Sequence, residues 1–504
     1  MYILSPQQTA KADKATIENK GITSLDLMET AATNCFQWLH NKLQGGNIQI
    51  HVFCGIGNNG GDGLVIARHL HKHNYKVICH IVNFSETRTE EFKVNYKRIK
   101  EIGLTPIDIK SKNDFPEINV DDIVVDAIFG NGLNRNPESF TKELIQYLNG
   151  KKAFTLAIDI PSGLFGDKSV TDPSAILKSS HILTFQTPKL ALLLPENKDY
   201  VNTWEVIDIG LDQNFIESLK PKTHYITKTD IIPLYKTRNK WDHKGTYGHS
   251  LIIGGSYGKM GAVTLASKAA LKIGSGLVSA YIPKCGYEIL QISVPEVMVE
   301  VDTDSTLTYF NFKTNPNVIG IGPGMGTAEK TAQGFESFIK ENKLPLVIDA
   351  DGLNLLSKNQ LLLSYLPKDT ILTPHPKELE RLIGPWKNDY EKLEKVSEFS
   401  KKYTAIVVIK GANTVTIQDK NMYFNSTGNP ALATGGSGDV LTGIITGLIA
   451  QGYKPLNAAI FGVYLHGKTA DIALPKTGYE TFTASTIFEY LADALLEVSK
   501  KKGA

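Results

Sequence analysis

Residues 426–452 read STGNPALATGGSGDVLTGIITGLIAQG. Gly435, Gly436 and Gly438 let the backbone turn tightly and come close to a ligand. The apolar run from Val440 predicts a buried helix whose unpaired N–H groups and positive dipole end face whatever sits in that turn. A glycine turn opening an apolar helix is an anion cradle of α/β architecture, and phosphate is its natural occupant. Asp439 is the odd member of the stretch. A carboxylate repels a phosphate, so it either caps the helix or takes a proton during chemistry. The density of glycine favours the second role.

Outward from this turn, short apolar runs of strand type alternate with longer helical patterns in both halves of the 504-residue chain. That alternation predicts α/β organisation with mostly parallel sheets, and the length predicts two or more domains. Ser5-Pro6 and Thr23 or Ser24 mark helix starts, followed by strands at IQIHVFCG, YKVICHIV, DIVVDAIFG, AFTLAIDIPSG and HILTFQT. The stretch from Leu211 to Tyr225 carries no strong period, and HKGTYGHSLIIGGSYGKMG then begins a new glycine-rich unit. The domain boundary is expected there, giving domains 1–215 and 225–504.

With 54 basic and 52 acidic residues the chain offers no electrostatic case for nucleic-acid binding. No apolar window suggests a signal peptide or a membrane span, so a cytoplasmic protein is expected. Cys35, Cys54, Cys79 and Cys285 lack metal-ligand spacing and read as free thiols.

Three strand ends in the first half carry polar residues where an open parallel sheet binds ligands. CGIGNNGGDG, residues 54–63, is read as a glycine loop leading into the helix LVIARHLHKH. VVDAIFGNGLNRN places Asp126 at a strand end before a flexible loop, and AIDIPSG places Asp159 and Ser162 similarly. Together with LMETAA these motifs resemble the NAD(P)H-hydrate epimerase domain, although Ala31-Ala32 stands where that family often has Ala-Gly. The resemblance implies a Rossmann-like three-layer domain. It also implies that hydrated NADH or NADPH is held by Asn58, Asn59, Gly60, Gly61 and Asp62 and by Gly130, Asn131, Gly132, Leu133, Asn134, Arg135 and Asn136. Potassium is implied at Asn59, Asp126 and Ser162, all three being oxygen donors suited to a hard cation. Asp159 is the residue expected to exchange protons at the modified ring.

The second half resembles the ADP-dependent NAD(P)H-hydrate dehydratases, relatives of ribokinase-like kinases, from HKGTYGHSLIIGGSYGKMGA through GSGLVSAY, VIGIGPGMG, VIDADGLNLL, ILTPHPKELERL and VVIKGANTV to the opening turn. The resemblance implies a ribokinase-like α/β domain. ADP is expected at Lys410, Gly411, Ala412, Asn413 and Thr414 and at Asn429, Gly435, Gly436, Ser437 and Gly438, with Mg2+ as its companion. Ala262, Gly324, His375 and Asp439 are implied for the hydrated dinucleotide, with Asp439 the catalytic base. In VIDADGLNLL, period-two alternation puts Asp349 and Asp351 on one side of a strand, where magnesium binding, substrate positioning and helix capping are all open. Thr486 stands where relatives tend to have an acid.

The implied activity is bifunctional: epimerisation of the R and S hydrates in the first domain, and ADP-dependent dehydration of the S hydrate in the second. A homo-oligomer is expected. The alternative is a vitamin-precursor kinase fused to a non-catalytic binding domain. The polar set of the first half argues against it, because a binding module has no need of a strand-end acid.

Overall fold

The alternation of strand and helix patterns forms two sheets, one in each of two units of the computed structural model, which describes residues 1–302 and 305–499. One unit spans residues 2–222 with 388–390, and the other spans 223–387 and the chain from 391 onward, with Met1.

In the first unit the strands are β1 (Gln49–Cys54), β2 (Lys76–Val82), β3 (Ile107–Ile109), β4 (Ile123–Ala127), β5 (Phe154–Ile158), β6 (Ser179–Phe185) and β7 (Val201–Ile207). They lie in the order β3-β2-β1-β4-β5-β6-β7, all parallel. The inner strands are apolar throughout because helices cover both faces. Val52, Cys54 and Val125 pack on one face with Phe36 and Leu39 of α2 (Ser24–Leu43) and Leu64 and Val65 of α3 (Asn58–Lys72). Phe53 and Val124 pack on the other with Leu144 and Ile145 of α5 (Ser139–Lys151). Helix α1 (Pro6–Lys20) is capped by Ser5 with Pro6 in its first turn, and α4 (Glu90–Glu101) follows β2. Thr23 caps α2.

Strand order reverses between β1 and β4, which opens a crevice at their carboxyl ends. NNGGDG is not a loop there: α3 already starts at Asn58. Its glycines are needed for closeness, since a Cβ on Gly60 would lie 1.9 Å from Gly55 O and one on Gly63 would lie 2.7 Å from Cys54 Sγ.

In the second unit the strands are β8 (Thr223–Ile226), β9 (His249–Ile253), β10 (Leu277–Pro283), β11 (Met298–Asp302), β12 (Val318–Ile321), β13 (Leu346–Ile348), β14 (Ile371–Leu372), β15 (Ile406–Ile409), β16 (Val415–Gln418) and β17 (Asn421–Asn425). Their order is β8-β17-β16-β15-β14-β13-β12-β9-β10-β11. The run from β11 to β15 is parallel, and β16 is antiparallel to both its neighbours. The stretch from Leu211 to Tyr225, which carries no strong period, holds a short helix, Gln213–Ser218, and the start of β8. Residues of low periodicity still fold where tertiary partners supply the burial.

Six helices of this unit bear on its site: α6 (Met260–Lys272), α7 (Ala350–Lys358), α8 (Pro376–Ile383), α9 (Ser437–Ala450), α10 (Pro455–Thr477) and α11 (Thr486–Ser499). α9 is buried on almost every side and lies directly against α6. Gly443 and Gly447 permit this, because added Cβ atoms would lie 2.0 Å from Ala266 O and 2.8 Å from Ala270 O. Asp349 and Asp351 do not share a strand face as expected. β13 ends at Ile348, Asp349 occupies the N-cap position of α7, and Asp351 lies inside that helix. Thr486 is the first residue of α11, and its hydroxyl accepts the Thr483 N–H at 3.2 Å. Among the described residues no helix is long and apolar enough to cross a membrane.

Candidate functional sites

The crevice of the first unit is a cleft of about 920 Å3 lined by Asn58, Asn59 and Asp62 of α3, the whole segment 130–136, Asp159 and Lys189. Gly60 and Gly61 lie in the same turn of α3 behind this wall. Asp159 follows β5 with φ +68, a left-handed conformation uncommon outside glycine that marks a site held by its surroundings. Its Oδ2 accepts the Asn131 N–H at 3.1 Å, and its Oδ1 lies 2.7 Å from Lys189 Nζ. Lys189 is 1 % exposed and also donates to the carbonyls of Phe185 and Thr187. The strand pattern HILTFQT ends at Thr187, two residues before this lysine.

Asp126 is fully buried at the end of β4. It accepts the Ser162 hydroxyl at 2.5 Å, the Ser162 N–H at 2.8 Å and the Ile128 N–H at 3.2 Å. Burial still pushes its carboxyl up to about 6, against the lowering effect of those bonds. Asn59 packs on Gly130, and its buried Nδ2 has no hydrogen-bond partner. Of the three residues implied for potassium, Asp126 and Ser162 are therefore bonded to each other, and Asn59 flanks the same loop. A buried carboxylate calls for a cation, and no lysine or arginine pairs with Asp126 among the described residues.

In the second unit Asp349, His375 and Lys410 follow the ends of β13, β14 and β15 in turn. Asp349 is 1 % exposed and joins Lys410 Nζ at 2.7 Å to the Thr442 hydroxyl at 2.8 Å. A Cβ on Gly438 would lie 3.2 Å from Lys410 Nζ, so the ammonium sits against the first turn of α9. That helix starts at Ser437, three residues before the apolar run. No side chain caps it, and only Gly436 of its three glycines has a left-handed φ, +89. Asp439 thus lies in the first turn without acting as a cap. Burial pushes its carboxyl up to about 7, with Asp349, Asp351 and Glu378 adding to the rise and Lys410 opposing it. Desolvation is the largest contribution to that rise.

Five further contacts hold this site. His466 of α10 lies 3.0 Å from Ser437 O, which only accepts, so Nε2 carries the proton; burial holds the ring neutral, with its pKa down at about 4. Asn429 donates to Asp471 at 3.0 Å, and Thr414 closes a turn with Gly411, the segment that also holds Ala412 and Asn413. His375 caps α8 through Nδ1, which accepts from Lys377 and Glu378 N–H, leaving Nε2 3.4 Å from Glu378 Oε1. Gly324 abuts Ala262, whose Cβ would lie 3.1 Å from a Cβ placed on the glycine. Lone residues in α10 such as His466 and Asp471 carry no signal in sequence, because what they meet is distant along the chain.

Two α/β units with acids at the carboxyl edges of their sheets, one Rossmann-like and one ribokinase-like, define the class: a two-domain enzyme of dinucleotide chemistry. Residues 250–493 match the NAD(P)H-hydrate dehydratase family and residues 24–191 the YjeF-related protein N-terminus. The chain is 32% identical to a bifunctional NAD(P)H-hydrate repair enzyme of Moorella thermoacetica, over 99% of this chain and 98% of that one. It is 31% identical to the enzyme of that name from Escherichia coli K12, over 95% of this chain and 91% of the relative. A ribokinase-like superfamily protein from Enterococcus faecalis V583 superposes with a TM-score of 0.50 at 26% identity, covering 56% of this chain and 98% of that one. The chain belongs to the bifunctional NAD(P)H-hydrate repair enzyme family.

Proposed function

We infer that this chain repairs hydrated NADH and NADPH, epimerising their R and S forms in domain 1–215 and dehydrating the S form with ADP in domain 225–504. One observation carries the reading: each unit sets an acid, Asp159 or Asp439, at the carboxyl edge of its own sheet beside backbone N–H groups, in a chain related along its length to enzymes of this name.

Hydroxide leaves a carbon poorly near neutral pH, and phosphorylation converts it into a better leaving group. Asp439, whose carboxyl has no hydrogen bond among the described residues and is poised near neutrality, takes the proton of the C6 hydroxyl as that hydroxyl oxygen attacks the β-phosphoryl of ADP and AMP departs. The first-turn N–H groups of α9 and the Lys410 ammonium stabilise the charge of the transferred phosphoryl. Phosphate then leaves C6, driven by the ring nitrogen lone pair, and loss of a C5 proton restores the reduced nicotinamide. Lys410, Gly411, Ala412, Asn413, Thr414, Asn429, Gly435, Gly436, Ser437 and Gly438 surround the nucleotide in this reading, with Ala262, Gly324 and His375 on the hydrated dinucleotide. Mg2+ enters with the nucleotide, since such ions are held largely through phosphates; among the described residues no cluster of three His, Cys, Asp or Glu side chains could hold a metal alone.

In the first unit the cleft receives the hydrated ring beside Asp159. Potassium is held by Asn59, Asp126 and Ser162, where it neutralises a buried carboxylate and steadies the 130–136 loop. The test is product analysis: a mixture of R and S hydrated NADH with ADP should be consumed completely, giving NADH, AMP and phosphate. Persistence of the R form would remove the epimerase, and inertness of both forms would remove the whole reading.

A further inference from the structure

Epimerisation at C6 takes a hydroxyl from one face of a ring and returns it to the other. Two proton transfers are needed, one to the departing oxygen and one from the arriving water. Asp159 is committed on both oxygens, to Lys189 and to the Asn131 N–H. Those contacts fix Asp159 in place, and transfers on opposite faces of the ring call for a second group.

Helix α1 supplies a second group. Pro6, Thr9, Ala10 and Asp13 all line the cleft, at the i, i+3, i+4, i+7 spacing that puts them on one helical face. Among the described residues the Asp13 carboxyl has neither a hydrogen bond nor an ion pair. The titratable and charged groups that line the cleft with it are Asp62 from α3, Asp159 after β5 and Lys189, with Arg88, Arg135 and Glu138 also on the wall. Asp62 is 6 % exposed, with a buried Oδ1 that meets no partner.

We propose that Asp13 is the second proton-transferring group of this cleft, working with Asp159 on the C6 hydroxyl of the hydrated nicotinamide. The proposal rests on the epimerase reading above. In one direction the Asp13 carboxylic acid gives its proton to the C6 hydroxyl. The C6–O bond breaks, water leaves, and the ring nitrogen lone pair forms a C6=N double bond. Water then attacks the opposite face of C6, its proton passes to the Asp159 carboxylate, and the π electrons return to nitrogen. The protein ends with its proton moved from Asp13 to Asp159, and the reverse turnover or exchange with solvent restores it.

The electrostatics agree. Burial, with Asp159 adding to it and Lys189 opposing, pushes Asp13 up to about 6, so it carries a proton for an appreciable fraction of the time near neutrality. Asp62 is pushed well above the usual carboxylate range by burial, with Asp159 and Asp13 adding to the rise.

The experiment uses the full chain with the purified R form of hydrated NADH, no ADP, and chromatographic separation of the two epimers. Asp13→Asn should lower kcat about 10²-fold or more, change KM by less than about threefold, and abolish the pH dependence near 6. Asp13→Glu should restore part of the rate together with a displaced pH limb, which a purely structural residue would not do. An Asp13→Asn enzyme within about twofold of wild type, or one whose loss is entirely a failure to bind the R form, overturns the proposal. A wild-type chain that does not interconvert the epimers overturns the epimerase reading beneath it.

Discussion

Lys410 Nζ lies 2.7 Å from one oxygen of Asp349, and the other oxygen of that carboxylate accepts the Thr442 hydroxyl at 2.8 Å. The residues come from the ends of two strands and the second turn of α9, so one buried carboxylate ties the lysine to the helix that opens the anion cradle. Asp349→Ala leaves that ammonium without its partner. The cost should be about 2–3 kcal/mol, below the ~3–5 kcal/mol of a fully buried pair because Lys410 retains some solvent. Urea titration read by dehydration activity checks it, and an unchanged midpoint would deny the pair its structural role.

Asp439→Asn preserves size and helix start. Dehydration of the S form at saturating ADP should fall by about 10²–10⁴, the range for loss of a general base, with ADP affinity nearly unchanged and epimerisation unaffected. A single-turnover measurement giving a wild-type rate would remove the base assignment.

The pH profile follows from the same group. Asp439 acts as a base only when ionised, and its pKa is pushed up to about 7. Its kcat/KM for dehydration should therefore rise with pH through about 7 and flatten above. Asp351 contributes to the rise in that pKa, so Asp351→Asn should move the limb toward lower pH. A limb that stays in place in this variant would assign it to another group.

Potassium should matter only to the first reaction. Replacing K+ by tetramethylammonium should slow epimerisation several-fold and leave dehydration of the S form intact. Asp126→Asn should make the epimerase insensitive to the exchange, because it removes the buried charge the cation answers. Equal epimerisation rates in both salts would remove the ion from the account.

ADP is expected to support dehydration with release of AMP and phosphate. Parallel assays with ADP and ATP decide this, and equal or better turnover with ATP would count against the choice.

The local pattern of the sequence determined the α/β class, the caps at Ser5 and Thr23, five of the seven strands of the first sheet, with Ile107–Ile109 and Val201–Ile207 missed, and the strand ends that carry Asp126 and Asp159, because alternation, capping and turn chemistry act over a few residues. Motif order over the whole chain determined the family. Tertiary structure alone decided the rest. It made NNGGDG the first turn of a helix, turned Asp349 away from Asp351 and toward Lys410, and brought Lys189, Asp13 and His466 to sites far from them in sequence. It also set the environment that raises the Asp439 carboxyl. A helix dipole is visible in sequence, whereas desolvation and the approach of Asp349, Asp351 and Glu378 depend on distances that only the folded chain sets.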